Sequence, residues 1–181
     1  MQSTTSIRAA RPEAGFTLIE LMFTVLLGAI LMAMAVPSFR QMIANNRLTT
    51  QANDLVSAIN YARSEAISHN NGVTFCRADA ENSTTCSGSA AAWQFWIVRS
   101  AAGTVLRSGA VNTFGGVLGL QSTLLNDSMV FSSDGLVRSG GALITDRTFT
   151  VCASNISADN IRTVTIGAGS RFSTEKSSGG C

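Results

Sequence analysis

The stretch Gly15-Phe16-Thr17-Leu18-Ile19-Glu20-Leu21 decides how this 181-residue chain is organised. It opens an apolar run over residues 16–36 that contains no lysine or arginine and has one carboxylate, Glu20, near its start. As a helix, a run of this length would span roughly 31 Å, which matches a hydrocarbon core of about 30 Å. An ionisable group inside a bilayer-length segment is costly, so we expect Glu20 to have a function.

The residues before the apolar run indicate its orientation. Arg8 and Arg11 precede Glu13 and Gly15. Positive charge tends to stay on the cytoplasmic side, so the pattern predicts a cytoplasmic N-terminus and an exported remainder. A secretory signal peptide would have an apolar core of only about 7–15 residues, followed by small residues. The sequence therefore predicts a single-pass anchor.

This arrangement resembles the class III leader of type IV pilins and type II secretion pseudopilins. The resemblance implies that residues 1–15 form a leader, that a prepilin peptidase cuts between Gly15 and Phe16, and that Phe16 is then N-methylated. It also implies that Glu20 serves assembly, because a neighbouring subunit's α-amino group would pair with it inside a filament. A buried carboxylate that loses such a partner is strongly destabilising.

Composition and cysteines limit the remaining possibilities. The net charge is only +2 and charged residues make up 13% of the chain, which is not the balance of a dedicated nucleic-acid binder. The four cysteines allow three pairings; Cys76 with Cys86 and Cys152 with Cys181 would each close a local loop. An even number in an exported domain favours disulfides. Zinc is disfavoured by the spacings and by the single histidine, His69, so we expect no metal or other cofactor.

The helical pattern continues beyond the apolar run. Pro37 should kink or loosen the helix. Apolar residues then recur at spacings of three and four, which predicts an amphipathic helix over residues 37–70 whose stripe lies on a globular domain. The sequence Asn70-Asn71-Gly72 is a stop signal, so the helix should end near His69.

After Gly72 the pattern changes to that of β-strands. The predicted strands cover residues 73–76, 93–98, 104–107, 129–131, 136–138, 148–152, 162–166 and 171–173. Trp93 and Trp96, three apart on one strand, should face opposite sides, one in the core and one at the surface. The tail over residues 177–180 should be flexible. The fold class is therefore α+β, a long N-terminal helix packed on an antiparallel β-sheet domain at residues 71–181.

Four blocks in this order resemble the GspH/FimT family of minor pilins and pseudopilins. They are Tyr61-Ala62-Arg63-Ser64-Glu65-Ala66-Ile67, the cysteine strand at 73–76, the tryptophan strand at 93–98 and the F-x-x-D-G-x-x-R pattern at 131–138. The resemblance implies an inner-membrane subunit with a periplasmic domain that later enters a filament. Its implied partners are other major or minor pilins or pseudopilins, the prepilin peptidase and an inner-membrane assembly platform.

Two structural roles within the family remain open. Pro37, in Ala35-Val36-Pro37-Ser38-Phe39, resembles type IV pilins more than H-class pseudopilins and favours a FimT/FimU-like minor pilin. The alternative is a type II secretion minor pseudopilin H at the pseudopilus tip. The four blocks do not separate these roles.

DNA binding is a lesser alternative. Some FimT members bind DNA through a C-terminal G-R-x-R motif, and residues 167–173 here contain one arginine, Arg171. Lys176 and Arg162 are the further candidates. Two phosphate contacts would give weak binding at physiological salt.

Other charged residues have structural explanations of equal or greater weight. Arg63 and Glu65 are two apart on the helix and so do not face each other. Arg63 could reach a carboxylate or backbone carbonyl groups of the sheet, or both residues could simply solubilise the helix end. Asp134-Gly135 predicts a hairpin turn. No Walker or Rossmann loop is present and His69 stands alone, so the sequence predicts a protein that is not an enzyme.

Overall fold

A computed structural model describes residues 15–88, 91–114 and 116–181. The chain divides into two compact units, Met1–Arg40 and Gln41–Cys181. Of the predicted leader at residues 1–15, residues 1–14 lie outside the described residues and Gly15 lies within them.

Helix α1 covers Leu18–Ser68 and begins with a side-chain cap. The Thr17 hydroxyl oxygen accepts a hydrogen bond from the Glu20 backbone N–H at 3.3 Å, and the Leu21 N–H bonds to the Thr17 carbonyl at 3.2 Å. Thr17 and Glu20 thus occupy the N-cap and N3 positions, where Ser/Thr and Glu/Gln form a capping box. Pro37 lies inside α1, so the helix continues through it, and the kink stays a prediction.

The C-terminal end of α1 is a Schellman motif. Asn70 has a positive φ of 47°, its N–H bonds to the Ile67 carbonyl at 3.3 Å, and the Asn71 N–H bonds to the Ala66 carbonyl at 3.1 Å. These two bonds satisfy carbonyl groups that the last helical turn leaves open. The helix ends at Ser68, one residue before the predicted end near His69.

The described residues form ten strands in two antiparallel sheets. They are β1 Val73–Ala78, β2 Phe95–Ser100, β3 Val105–Ala110, β4 Leu118–Ser122, β5 Ser128–Phe131, β6 Val137–Ser139, β7 Ala142–Leu143, β8 Arg147–Ala153, β9 Ile161–Gly167 and β10 Arg171–Ser177. The first sheet has the order β3-β2-β1-β5-β6-β7 and the second has the order β10-β9-β8-β4. This confirms the α+β class with a long helix and antiparallel sheets.

The sequence prediction missed strands β4 and β7 and ended strand β10 too early. Strand β4 lies in a stretch with no predicted strand, although Leu118 and Leu120 are buried there and Gly119 and Gln121 are exposed. The alternation is short and half of it is glycine and glutamine, so the pattern was weak. Strand β10 runs to Ser177, well beyond the predicted end, because it pairs with β9 along its whole length.

The core lies between α1 and both sheets. The buried side chains of α1 recur every three or four residues, as a helix with one apolar face requires. They are Ala44, Leu48, Gln51, Ala52, Leu55, Ala58, Ile59, Ala62 and Ala66. Most of them pack with Phe75, Trp93, Phe131 and Phe149 in one cluster. The predicted amphipathic stripe is present from Ala44 onward, but Phe39, Met42 and Ile67, which the spacing also placed in it, are exposed.

The prediction that one tryptophan lies at the surface was wrong. Trp93 is 1% exposed and Trp96 is 5% exposed. Trp93 precedes β2, so strand alternation does not apply to it, and it stacks on Phe75 with 5.6 Å between ring centroids. Trp96 lies against Gly109, its partner on β3, where a glycine leaves room for the indole.

The structure contains the disulfides Cys76–Cys86 and Cys152–Cys181. The second disulfide holds the C-terminal tail, and Asn160 adds to it. The Asn160 side-chain amide donates to the Gly179 carbonyl at 2.8 Å and accepts from the Gly179 N–H at 2.9 Å. The predicted flexible tail is therefore bound to the second sheet.

Candidate functional site

The N-terminal half of α1 has an exposed apolar surface. Every described side chain from residue 15 to residue 40 is exposed, including Phe16 at 84%, Leu26 at 57% and Met34 at 75%. Among the described residues, α1 is the one helix long and apolar enough to cross a membrane. A contiguous apolar surface of this size needs a cover of lipid or protein, because soluble proteins rarely expose one.

Glu20 lies in the first turn of this exposed helix. Its backbone N–H is bonded to Thr17, and its carboxylate makes no ion pair with any residue that the structure describes. The positive end of the helix dipole favours a carboxylate at this position. Gly15 and Phe16 precede the helix in irregular backbone, and among the described residues beyond the chain neighbours no atom lies within 4 Å of a Cβ built on Gly15. The expected cleavage site and Glu20 are therefore both exposed.

Arg63 supports the domain through a backbone carbonyl. Its Nη1 donates to the Ser170 carbonyl oxygen at 3.1 Å, and the Ser170 hydroxyl accepts from the buried Val137 N–H at 2.7 Å. Ser170 follows β9, and Val137 begins β6. These bonds connect the last turns of α1 with β6 and with the turn between β9 and β10, so Arg63 reaches a backbone carbonyl group, which was one of the predicted alternatives.

The predicted hairpin turn is present and packs on α1. Gly135 has φ of 73°, and a Cβ added there would lie 2.9 Å from Cδ1 of Ile67. Asp134 accepts from the Leu136 N–H at 2.9 Å and pairs with Arg138 at 3.1 Å. The hydrogen bond from Arg138, followed by the one from Leu136, lowers the pKa of Asp134. The helix-end block and the hairpin block thus meet in the fold.

A buried charge pair was missed in the sequence. Asp127 is 2% exposed, and its Oδ2 lies 3.4 Å from Arg77 Nε and accepts from the Ala91 N–H at 3.1 Å. Arg77 also bonds to Ser87 and pairs with exposed Asp79. The network ties the Cys76–Cys86 loop to the turn before β5. The one sequence feature that could have indicated this pair is Arg77 itself, a single charged residue in the mostly apolar strand Val73–Ala78.

Polar side chains also interact along the last turns of α1, at half-buried Tyr61 and Glu65 and at exposed His69. Glu65 Oε2 lies 3.2 Å from His69 Nε2, and the Arg107 guanidinium lies 5.6 Å from the centre of the Tyr61 ring. Burial raises the pKa of Tyr61, Glu65 raises it further and Arg107 lowers it. Within the described residues, no group of three or more His, Cys, Asp or Glu side chains could hold a metal ion.

The three candidate DNA contacts do not form one exposed surface, although Lys176 lies directly opposite Arg162 in the pairing of β10 with β9. Arg162 is 3% exposed, and its guanidinium donates to the carbonyl oxygens of Asp159 and Ile161 and to Asn45 of α1. This corrects the expectation for Arg162, because a buried guanidinium with these acceptors is not available to a phosphate. Arg171 and Lys176 are exposed on β10, but they stand five residues apart and face opposite sides of the strand.

Comparison with known proteins identifies the class of protein that this geometry belongs to. The model of the prokaryotic N-terminal methylation motif matches residues 10–36. This motif, the exposed apolar helix and the antiparallel domain define a type IV pilin-like subunit. The model described as type II transport protein GspH matches residues 51–170, so the chain belongs to the GspH family. The family resemblance is thereby confirmed.

Solved structures show the same fold. Two crystal structures of the type IV minor pilin FimU of Pseudomonas aeruginosa strain PAO1 are each 22% identical to the chain. One has a TM-score of 0.50 and covers 71% of this chain and 92% of FimU; the other has a TM-score of 0.52 and covers 72% and 89%. The comparison with curated proteins gave no match.

Proposed function

We propose that the chain is a minor pilin of a type IV pilus. Its leader is removed between Gly15 and Phe16, Phe16 is N-methylated, and residues 16–36 anchor it in the inner membrane. The N-terminus faces the cytoplasm and the domain at 71–181 faces the periplasm. The observation that carries the proposal is the wholly exposed apolar half of α1, with one carboxylate in its first turn.

Assembly replaces lipid around this helix with the helices of other pilins. The apolar side chains keep an apolar environment throughout, so the transfer needs little desolvation of them. Glu20 is different, because it moves from near the headgroups into a protein interior. There it pairs with the free α-amino group of Phe16 on a neighbouring subunit, and this pair sets the axial register between subunits. A buried carboxylate without that partner would oppose assembly.

Two matched variants separate the charge of Glu20 from its place in the helix cap. Glu20→Gln removes the charge but retains a residue that suits the N3 position. Thr17→Ala removes the cap and retains the carboxylate, at a cost of about 1 kcal/mol of helix stability. The measurement is the amount of each variant in sheared filaments relative to the amount in the inner membrane.

The proposal expects Glu20→Gln to be nearly absent from filaments while its membrane level is normal. Thr17→Ala should enter filaments at close to the wild-type level. If Glu20→Gln assembles normally and Thr17→Ala does not, the carboxylate acts as a helix cap and the pairing proposal is wrong.

The alternative is an H-class minor pseudopilin of type II secretion, and the match to the GspH family model favours it. Pro37 favours the pilus. Deleting the gene distinguishes the two roles. If the chain is a pilus subunit, its loss should reduce the number of surface pili and leave protein secretion intact. The reverse result would assign the chain to secretion.

DNA uptake is the least supported role. It would rest on Arg171 and Lys176, which face opposite sides of β10 and so offer separate phosphate contacts. A gel-shift titration with the full chain at low salt should show no retardation. Retardation that Arg171→Ala abolishes would establish DNA binding.

A further inference from the structure

The connection between α1 and β1 contains a reactive pair of residues. Asn71 is exposed, and the backbone N–H of Gly72 donates to the Asn71 side-chain oxygen at 2.8 Å. The amide nitrogen of Gly72 therefore lies beside the side-chain amide of the residue before it. Asparagine is among the chemically labile residue types. Neither the anchor nor the proposed assembly site uses this pair.

We propose that Asn71 is a site of spontaneous deamidation. The Gly72 nitrogen, after losing its proton to hydroxide, attacks Cγ of Asn71 and forms a new C–N bond. The bond from Cγ to Nδ2 breaks, and the nitrogen leaves as ammonia after taking up a proton from water. The product is a five-membered succinimide ring, and no oxidation or reduction takes place.

Water then opens the ring at either of its two carbonyl carbons. Opening at Cγ gives aspartate at position 71 with the original backbone. Opening at the backbone carbonyl gives isoaspartate, in which the chain runs through the side chain of residue 71. Both products add one negative charge, and isoaspartate also adds one atom to the backbone.

Glycine at position 72 is what makes this site reactive. It has no Cβ to crowd the attacking nitrogen. The other asparagines of the chain have larger residues after them. Asn82 is the internal reference, because it is exposed in the Cys76–Cys86 loop and is followed by Ser83. Asn160 is a buried reference whose amide is held by the tail.

The position gives the modification a structural consequence. The Asn71 N–H is one of the two bonds of the Schellman motif, and the Gly72 carbonyl accepts from the Ala101 N–H at 3.0 Å. A new carboxylate would lie at the negative end of the helix dipole, which is unfavourable. An extra backbone atom would shift Gly72 away from Ala101. Deamidation would therefore loosen the joint between α1 and β1 with age.

The test follows the purified full-length chain in detergent micelles during incubation at neutral and at mildly alkaline pH. Peptide mass spectrometry measures the acid fraction at Asn71, Asn82 and Asn160, and an isoaspartate methyltransferase detects the rearranged product. Gly72→Ala is the matched variant. Its Cβ would lie 3.7 Å from Val130 Cγ1 and 3.9 Å from the Phe131 carbonyl oxygen, so it fits without a clash.

We expect Asn71 to convert first, faster at alkaline pH, with isoaspartate among the products. Gly72→Ala should slow the conversion by about tenfold or more, because its Cβ crowds the nitrogen. Asn71→Gln, which would need a larger ring, should form no acid at position 71, and circular dichroism checks that each variant is folded. The proposal is overturned if Asn82 converts before Asn71, or if Gly72→Ala converts as fast as the wild type.

Discussion

The two halves of α1 differ in the exposure of their side chains. From residue 15 to residue 40 every described side chain is exposed, whereas from Ala44 to Ala66 a buried residue recurs every three or four positions. Both halves are helical and rich in apolar residues. The first half has no partner among the described residues, while the second packs on two sheets. Helical propensity therefore does not distinguish an anchor from a core helix; what surrounds each half does.

This difference sets which substitutions each half tolerates. In the domain, packing is complementary, and removing or adding a methyl group leaves a void or a clash. In the anchor half, side chains face lipid or other subunits, so small apolar changes leave the stability of the domain unchanged. Both tryptophans belong to the unit Gln41–Cys181, so their fluorescence reports the unfolding of that unit alone.

The largest expected effect comes from the same substitution in each half. Leu55→Ala removes a side chain that is 1% exposed and should lower the free energy of unfolding by about 2–5 kcal/mol. Leu26→Ala, in the anchor half, should change it by no more than about 0.5 kcal/mol. Denaturant titration in detergent, followed by tryptophan fluorescence, measures both. Equal changes in the free energy of unfolding for the two variants would contradict the difference in packing between the two halves.

The disulfides test how much of the domain's stability comes from covalent closure. Replacing Cys152 and Cys181 by serine opens a loop with a sequence separation of 29, and the chain-entropy model gives a loss of about 3–4 kcal/mol. The Cys76–Cys86 loop has a separation of 10 and should cost about 1 kcal/mol less. Thermal unfolding of the two double variants shows which disulfide contributes more to the stability of the domain. The reverse order would mean that native packing, not loop length, sets the cost.

Glycines of the domain and of the anchor half differ in the space around them. A Cβ on Gly109 would lie 2.3 Å from Cζ2 of Trp96, so Gly109→Ala should destabilise the domain by about 1–3 kcal/mol. Apart from the neighbouring backbone, no atom of the described residues lies within 4 Å of a Cβ added to Gly28 in the anchor or to Gly119 in β4, so these glycines are matched controls. Their alanine variants should unfold like the wild type. A stable Gly109→Ala would show that Trp96 moves freely, contrary to close packing.

The smallest expected effect concerns pH. The pKa of Asp134 is lowered by Arg138, so the stability that this carboxylate contributes is present above the ordinary carboxyl pKa of about 3.9. It is lost as the pH falls through the lowered pKa. Asp134→Asn should therefore be less stable than the wild type at neutral pH, and the two should converge in acid. Asp54→Asn is the control on exposed helix surface, and a difference for Asp134→Asn that persists in acid would contradict the pairing.

The sequence predicted the parts that local patterns encode. Residues Gly15 to Leu21 gave the anchor, the spacing of Leu48, Ala52 and Leu55 gave the packed face, and Asp134-Gly135 gave the hairpin. The disulfide pairing, the burial of Trp93 and the burial of Arg162 depended on contacts between segments far apart in the chain. The Arg77–Asp127 pair is 50 positions apart in the numbering, and no period connects its members. Glu20 could be singled out because a carboxylate in an apolar run is visible without any tertiary contact.

We expect the exposed apolar half of α1 to become the free N-terminal segment of the mature subunit. Mass spectrometry of the protein, isolated from cells that have a prepilin peptidase, tests it most directly. We expect an N-terminal peptide that starts at Phe16 and carries one methyl group. A protein that retains residues 1–15 in those cells would contradict it.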